Sequence, residues 1–91
     1  MAVQVRIPSI LRRQTNGDEM VSLEGTTIGE VLEGLEHRYE GLKGKLRGPQ
    51  GEIRRFVNIY VNDSDVRLLE GPTTPVADGD EVVIIPAVAG G

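Results

Sequence analysis

The sequence predicts an α+β domain in which a mixed sheet wraps over one main helix. Three observations carry that expectation. Apolar residues alternate with polar ones at the amino end and again near residue 60, a single apolar stripe at helical spacing lies between, and a last run, Glu81-Val-Val-Ile-Ile-Pro86, is apolar on both faces. A period of two marks a strand with one buried face, whereas recurrence at three and four residues marks an amphipathic helix. The chain has 91 residues, 38% of them hydrophobic and mostly Val, Leu and Ile. That is enough for one compact domain burying roughly 60% of its unfolded surface, with aliphatic rather than aromatic packing.

Val3, Val5 and Ile7 alternate with Gln4 and Arg6 as a first strand, which Pro8 limits. Asn16-Gly17 is the pair that a tight hairpin wants, since both central residues of such a turn take positive φ. Glu19 to Leu23 then returns antiparallel to the first strand. Thr27-Ile-Gly-Glu30 matches a capping box, in which hydroxyl and carboxylate satisfy the free N–H groups of a helix start. Ile28, Val31, Leu32, Leu35 and Tyr39 form the apolar stripe of that helix, Glu30, Glu33, Glu36 and Arg38 take its wet side, and Gly41 is expected to cap it. Gly48-Pro-Gln-Gly51 reads as a turn, and Phe56-Val-Asn-Ile-Tyr-Val61 as a strand with Val57, Ile59 and Val61 on one face. Asn62 to Asp65 turns into a short strand, Val66 to Leu69, and Asp78-Gly79-Asp80 turns into the final strand, Glu81 to Ile85. Hairpin, helix, strand, short strand, last strand is the order of the β-grasp, or ubiquitin-like, fold, with the last strand parallel to the first at the centre of the sheet. The expected division is a domain over residues 1–85 and a flexible tail over 86–91.

The composition narrows the chemistry. A net charge of −4 disfavours nucleic acid and anionic membranes as partners. With no cysteine there is no disulfide, thiol nucleophile or thiolate metal site. Met-Ala-Val-Gln-Val-Arg has no apolar signal region, so the expected location is the cytoplasm and the sequon at Asn62 is not read as glycosylated. His37 has no second nitrogen ligand nearby and reads as a surface residue. Asp63, Asp65, Asp78 and Asp80 fall in turns, where aspartate bonds its own backbone. Gly41-Leu-Lys-Gly44-Lys45 lacks the spacing and hydroxyl of a phosphate loop. Lys43, Lys45, Arg47, Arg54 and Arg55 form a locally basic stretch, read as a solvated face or part of a docking surface. No bound metal or cofactor is expected.

The last strand and the tail carry the functional expectation. One helix cannot cover both faces of the sheet, so either Val83 and Ile85 or Val82 and Ile84 reach the open side, where Tyr60 and Phe56 join them as a patch of the kind that marks a partner site. Pro86 has no N–H and stops the ladder. From Pro86 to Gly91 the chain can extend about 20 Å. Its small, uncharged residues suit a narrow channel, and the terminal glycine offers an unhindered carboxylate on a backbone free of Cβ constraints.

Asp78-Gly-Asp-Glu-Val-Val-Ile-Ile-Pro86 followed by Ala-Val-Ala-Gly-Gly91 resembles the end of the ThiS/MoaD sulfur-carrier family. Phe56-Val-Asn-Ile-Tyr-Val-Asn-Asp63, Asp65-Val-Arg67 and Ile7-Pro-Ser-Ile-Leu11 extend the resemblance over the whole chain. They bring it nearest to the carriers of an actinobacterial-type cysteine-biosynthesis pathway. A MoaD-type carrier commonly has Pro-Pro before Val-Ala-Gly-Gly, whereas here Ala87 follows Pro86. The resemblance implies a carrier rather than an enzyme, monomeric on its own. An E1-like adenylyl/sulfurtransferase, using ATP and itself holding zinc, would adenylate the Gly91 carboxylate, and a sulfur source would displace AMP to leave a thiocarboxylate. Gly90, Ala89, Val88 and Ala87 would thread the partner's channel, and Tyr60, Val83, Ile85 and Phe56 would dock the body. The acceptor would be a PLP-dependent cysteine synthase using O-phosphoserine. A JAMM-type metallopeptidase would then release the cysteine from Gly91. Comparison with ubiquitin puts Val82 and Ile84 in the core, with Val83, Ile85 and Tyr60 outside. Molybdopterin, thiamin or a thiosugar are alternative destinations, and conjugation to lysines as a ubiquitin-like modifier is the alternative of another class.

Overall fold

The computed structural model describes residues 2–86. The expectations placed on Ala87, Val88, Ala89, Gly90 and Gly91 lie outside them. Strand β1 (Ala2–Arg6) is followed by β2 (Met20–Glu24), helix α1 (Ile28–Arg38), β3 (Val57–Val61), β4 (Ser64–Asp65) and β5 (Glu81–Pro86). They form one sheet in the order β2-β1-β5-β3-β4. β5 is central, parallel to β1 through Val5↔Val82 and Arg6↔Val83. It is antiparallel to β3 through Ile59↔Ile84 and Tyr60↔Val83. The expected α+β arrangement with its parallel first and last strands is therefore present.

The sheet has one dry face. Val3, Val5, Val21, Leu23, Val57, Ile59, Val61, Val82 and Ile84 pack there against Ile28, Val31, Leu32, Leu35 and Tyr39 of the helical stripe, with Leu42, Leu46 and Val66 closing the core from the connections. Each large side chain so buried contributes roughly 1.5–3 kcal/mol relative to exposure, far more than the intrinsic preference of an 11-residue helix.

Several local expectations are corrected, each for a packing reason. Asn16 (φ +57°) and Gly17 (φ +85°) do not form a two-residue hairpin. They close a 3-10 segment, Ser9–Thr15, that carries the chain from β1 to β2 and is pinned by the buried Thr15 hydroxyl, which donates to the Asp18 carbonyl at 3.0 Å with the Arg12 carbonyl at 3.3 Å beside it. The tight hairpin is instead Asn62-Asp63, with φ of +48° and +74°, between the paired residues Val61 and Ser64. Asn and Asp are the non-glycine residues that accept that conformation most readily. The capping box is present with Thr27 as the N-cap, and only the partner of the Glu30 carboxylate moves, from Thr27 to Thr26. The Thr27 hydroxyl accepts from the Glu30 N–H at 3.2 Å, while the Glu30 carboxylate accepts from the Thr26 N–H and hydroxyl at 2.7 and 2.8 Å. Those two bonds, the backbone one first, hold the Glu30 carboxyl below its usual range.

Gly41 is not the cap of α1. The helix ends at Arg38 because Tyr39 turns extended (φ −130°), burying its ring and donating from its hydroxyl to Asp18 Oδ2 at 3.2 Å. Gly41 lies in a further 3-10 turn, Glu40–Leu42, that drives Leu42 into the core. Glu36 does not face water either. It is 8% exposed and accepts two bonds from Arg47, at 2.8 and 3.2 Å, so Arg47 leaves the basic stretch for a half-buried ion pair. That hydrogen bond with Glu36 raises the Arg47 pKa further above its already basic value. Val66–Leu69 is no strand: pairing stops at Asp65, and Val66–Leu68 forms a 3-10 turn that buries Val66 and leaves Leu68 and Leu69 in solvent. The final strand runs one residue further than expected, with Pro86 opposite Val57. Among the described residues no helix is long and apolar enough to cross a membrane.

Candidate functional site

The alternation of β5 decides what the second face of the sheet presents. Val82 and Ile84 are 0% and 1% exposed, which settles the phase, and Ile85 is 47% exposed on the other side. Val83, half-buried, lies in one cross-strand row with Arg6 of β1 and Tyr60 of β3. Tyr60, Val83 and Ile85, three of the four residues expected to dock a partner, line one shallow concavity of about 240 Å³ together with Asp63. Phe56, the fourth, is 55% exposed but sits before β3 in a neighbouring concavity with Arg54, Arg55 and Arg67.

The apolar concavity has a polar rim, and the register explains it. One row along, Gln4 lies opposite Glu81 and Ser22, and Gln4 Nε2 donates to the Ser22 hydroxyl at 3.0 Å. Arg6 Nη2 meets Glu81 Oε2 at 3.1 Å across the same face. Both partners are about half exposed, so the pair adds at most about 1 kcal/mol and mainly orients the rim. Asp63 had been assigned only a turn-making role. Its place in the same concavity as Tyr60 follows from the two-residue hairpin, which keeps Asp63 close to the end of β3. The alternation of β3 together with an Asn-Asp turn was the available signal.

The other turn aspartates hold backbone. Asp78 Oδ1 accepts from the Ala2 N–H at 2.8 Å, and Asp65 Oδ1 from the Arg67 N–H at 2.9 Å. Asp80 accepts from Asn62 Nδ2 at 3.0 Å and from the Ala77 N–H at 2.8 Å. These bonds, the Asn62 one first, hold the Asp80 carboxyl below the usual aspartate range. Asn62 also accepts from the Glu81 N–H at 3.0 Å, so the start of β5 is clamped on its neighbour. Its far end is held differently. Val57, the partner of Pro86, gives its carbonyl to Arg67 Nη2 at 2.7 Å, and the same guanidinium takes the Arg54 carbonyl at 2.9 Å and Asn58 Oδ1 at 2.6 Å. One arginine thus fixes the segment against which the last strand residue pairs. Sequence reasoning gave Arg67 no such role, because a bond to four chain positions at once is visible only in the fold.

A clamped central strand that reaches Pro86 and an apolar concavity on the open face of the sheet are features that a carrier can use. Comparison with known proteins agrees. The ThiS family model matches residues 5–91. The chain is 53% identical to the sulfur carrier protein CysO of Mycobacterium tuberculosis over the full length of both. It superposes with a TM-score of 0.91 on a chain of the Amycolatopsis orientalis BexX/CysO complex, at 46% identity, covering 99% of this chain and 100% of that one. It is also 43% identical to the small archaeal modifier protein 3 of Haloferax volcanii, over 75% of this chain and 73% of that one. The relatives matched over their whole length are carriers rather than catalysts. The chain belongs to the ThiS family of ubiquitin-like sulfur carrier proteins.

Proposed function

We propose that this carrier delivers sulfur for cysteine biosynthesis from a thiocarboxylate on Gly91. The observation that carries the reading is the pairing of an apolar concavity at Tyr60, Val83 and Ile85 with a central strand, Glu81–Pro86, that precedes Ala-Val-Ala-Gly-Gly91 directly in the sequence. The body docks while the tail, Ala87 to Gly91, carries its carboxylate to a remote centre.

The chemistry explains why a partner must act first. A carboxylate oxygen is a poor leaving group at neutral pH. In an E1-like adenylyl/sulfurtransferase the Gly91 carboxylate attacks the α-phosphorus of ATP and pyrophosphate leaves. A sulfur nucleophile then attacks the acyl carbon and AMP leaves, so one oxygen of the carboxylate has been exchanged for sulfur. The carrier supplies reach, orientation and an unhindered acyl carbon. The thiocarboxylate sulfur next adds to an aminoacrylate that a PLP-dependent cysteine synthase makes from O-phosphoserine. The new thioester rearranges to an amide on Gly91, which a JAMM-type metallopeptidase hydrolyses to free cysteine. The full-length similarity to CysO supports this destination over molybdopterin, thiamin or a thiosugar.

Incubation with ATP, sulfide and the cognate activating enzyme, followed by intact mass, tests the proposal. The expected shift is that of one oxygen replaced by sulfur. An unchanged mass, with an enzyme shown to be active on another carrier, sinks it. The similarity to a small archaeal modifier supports a second reading, conjugation to lysines. Gly-Gly remnants on lysines of cellular proteins, dependent on this gene, are its signature.

A further inference from the structure

The last residue of β5, Pro86, pairs with Val57 beside an arginine cluster. Arg54, Arg55 and Arg67 share with Phe56, Ile53 and Glu52 an open concavity of about 610 Å³. Val57, the residue after Phe56, is the register partner of Pro86, so this concavity lies at the root of the tail. The Arg67 guanidinium is fixed, but its acceptors are neutral: the Arg54, Arg55 and Val57 carbonyls and the Asn58 side-chain amide. Arg54 likewise donates to the Gly44 carbonyl. Among the described residues none of these three arginines forms an ion pair with a carboxylate. Glu52 turns one oxygen to the Gln50 N–H. Three cations against one carboxylate reverse the sign of a protein whose net charge is −4.

We propose that this cluster is a second docking surface, one that receives a carboxylate-bearing rim around the mouth of the enzyme channel into which the tail is threaded. The proposal rests on the carrier reading above and names the chemistry of the partner's entrance. Continuity is the first argument. Asn58, which holds Arg67, is the register partner of Ile85, so a partner that covers Ile85 and admits the chain beyond Pro86 must pass over Arg67 and Phe56. Charge is the second. Guanidinium forks match carboxylates bidentately, and opposed potentials raise the rate of productive encounter more than they add affinity. Phe56 supplies an apolar anchor among the cations, the mix that interface centres favour. A nucleotide phosphate is the weaker occupant. The five residues past Pro86 span on the order of 17 Å when threaded fully extended, which would carry an adenylated carboxyl away from the arginines.

Steady-state modification by the activating enzyme tests this with Arg55→Glu and with Arg54→Glu/Arg55→Glu. Arg13→Glu, an exposed charge in the Ser9–Thr15 turn, is the control. Arg67 is left intact because it holds the fold. The expected result is a KM for the carrier raised about tenfold by Arg55→Glu and further by the double variant, with kcat unchanged. The salt dependence of kcat/KM should also be flattened relative to wild type. Variants that behave like Arg13→Glu overturn the docking surface and leave the carrier reading standing. A rise in the KM for ATP instead means that the cluster meets the nucleotide, and overturns it too. Wild-type chain that is never modified overturns both.

Discussion

Val82 and Ile84 differ from Val83 and Ile85 only in which side of β5 they occupy. The first pair is sealed under α1, while Ile85 is 47% exposed and Val83 is half-buried. Side chains of one chemical class, interleaved on six residues of one strand, serve two purposes. The pair under the helix is what the fold requires. The other pair adds little to stability, since water still reaches it. Val and Ile there, on a surface otherwise rimmed by Gln4, Arg6, Glu81 and Asn58, are explained by the proposed docking rather than by the fold.

That contrast is broken most directly from the buried side. Ile84→Ala removes a fully buried side chain from the middle of the core and should cost about 3–4 kcal/mol in urea unfolding. The tail chemistry of the molecules that remain folded should be unchanged. Next in size is Glu36→Ala, which strips the half-buried Arg47 guanidinium of its bidentate partner. Leaving one member of such a pair unmatched should cost about 3 kcal/mol. Replacing both residues by Leu and Met should recover most of the loss, because the pair contributes specificity more than net stability.

The open side should give the opposite pattern. Val83→Asp with Ile85→Asp should cost about 1–2 kcal/mol, less than Ile84→Ala, because only the half-buried Val83 and the poor strand preference of Asp contribute. The same pair should raise the KM for the activating enzyme by about ten- to a hundredfold, as loss of interface anchors does. A double variant as unstable as Ile84→Ala would mean that the open face is structural after all, and the distinction between the two sides would fail.

How much of this was legible without coordinates follows the same line. Wherever a period was strong, the reading held: β1, β3, β5 and the stripe Ile28 to Tyr39 lie where alternation and helical spacing put them. A lone helix leaves one side of the sheet uncovered but left two phases of β5 open, and it was the comparison with ubiquitin that put Tyr60, Val83 and Ile85 outside, where the structure has them. What the pattern could not give were pairings between residues distant in sequence. Glu36 sits at a helical position that reads as solvent-facing. Only the path of the Leu42–Leu46 segment, buried at both ends, brings Arg47 over it. Turn chemistry misled for a similar reason. Asn16-Gly17 and Asn62-Asp63 both accept positive φ, and the choice of which closes a tight hairpin depends on how far each ladder continues, as Ile7 and Thr15 decide by going into the core.

The smallest effect separates the two ends of β5 rather than its two faces. The start of the strand is tied by Asn62 and Asp80, whose carboxylate accepts two hydrogen bonds and is held below the ordinary aspartate value of 3.8. A native pKa below the unfolded one means that the ionised form favours the folded state. The contribution is therefore present above about pH 4 and lost as pH falls through the native value. Asp80 is exposed enough for solvent to screen it, so the amount is a few tenths of a kcal/mol. Asp80→Asn removes the charge and, because both carboxylate oxygens accept, also gives up one of the two hydrogen bonds at every pH. Its melting temperature should lie slightly below wild type at pH 7, with the gap narrowing toward pH 3, since the ionised contribution disappears from wild type alone while the similar shift at Glu30 cancels between the two proteins. A gap that widens on acidification would mean that the carboxylate is strained in the fold rather than stabilised. The modification rate at neutral pH should be the same in both, because the bonds that anchor the strand's start at Asp80 are separate from those that hold its far end through Val57 and Arg67.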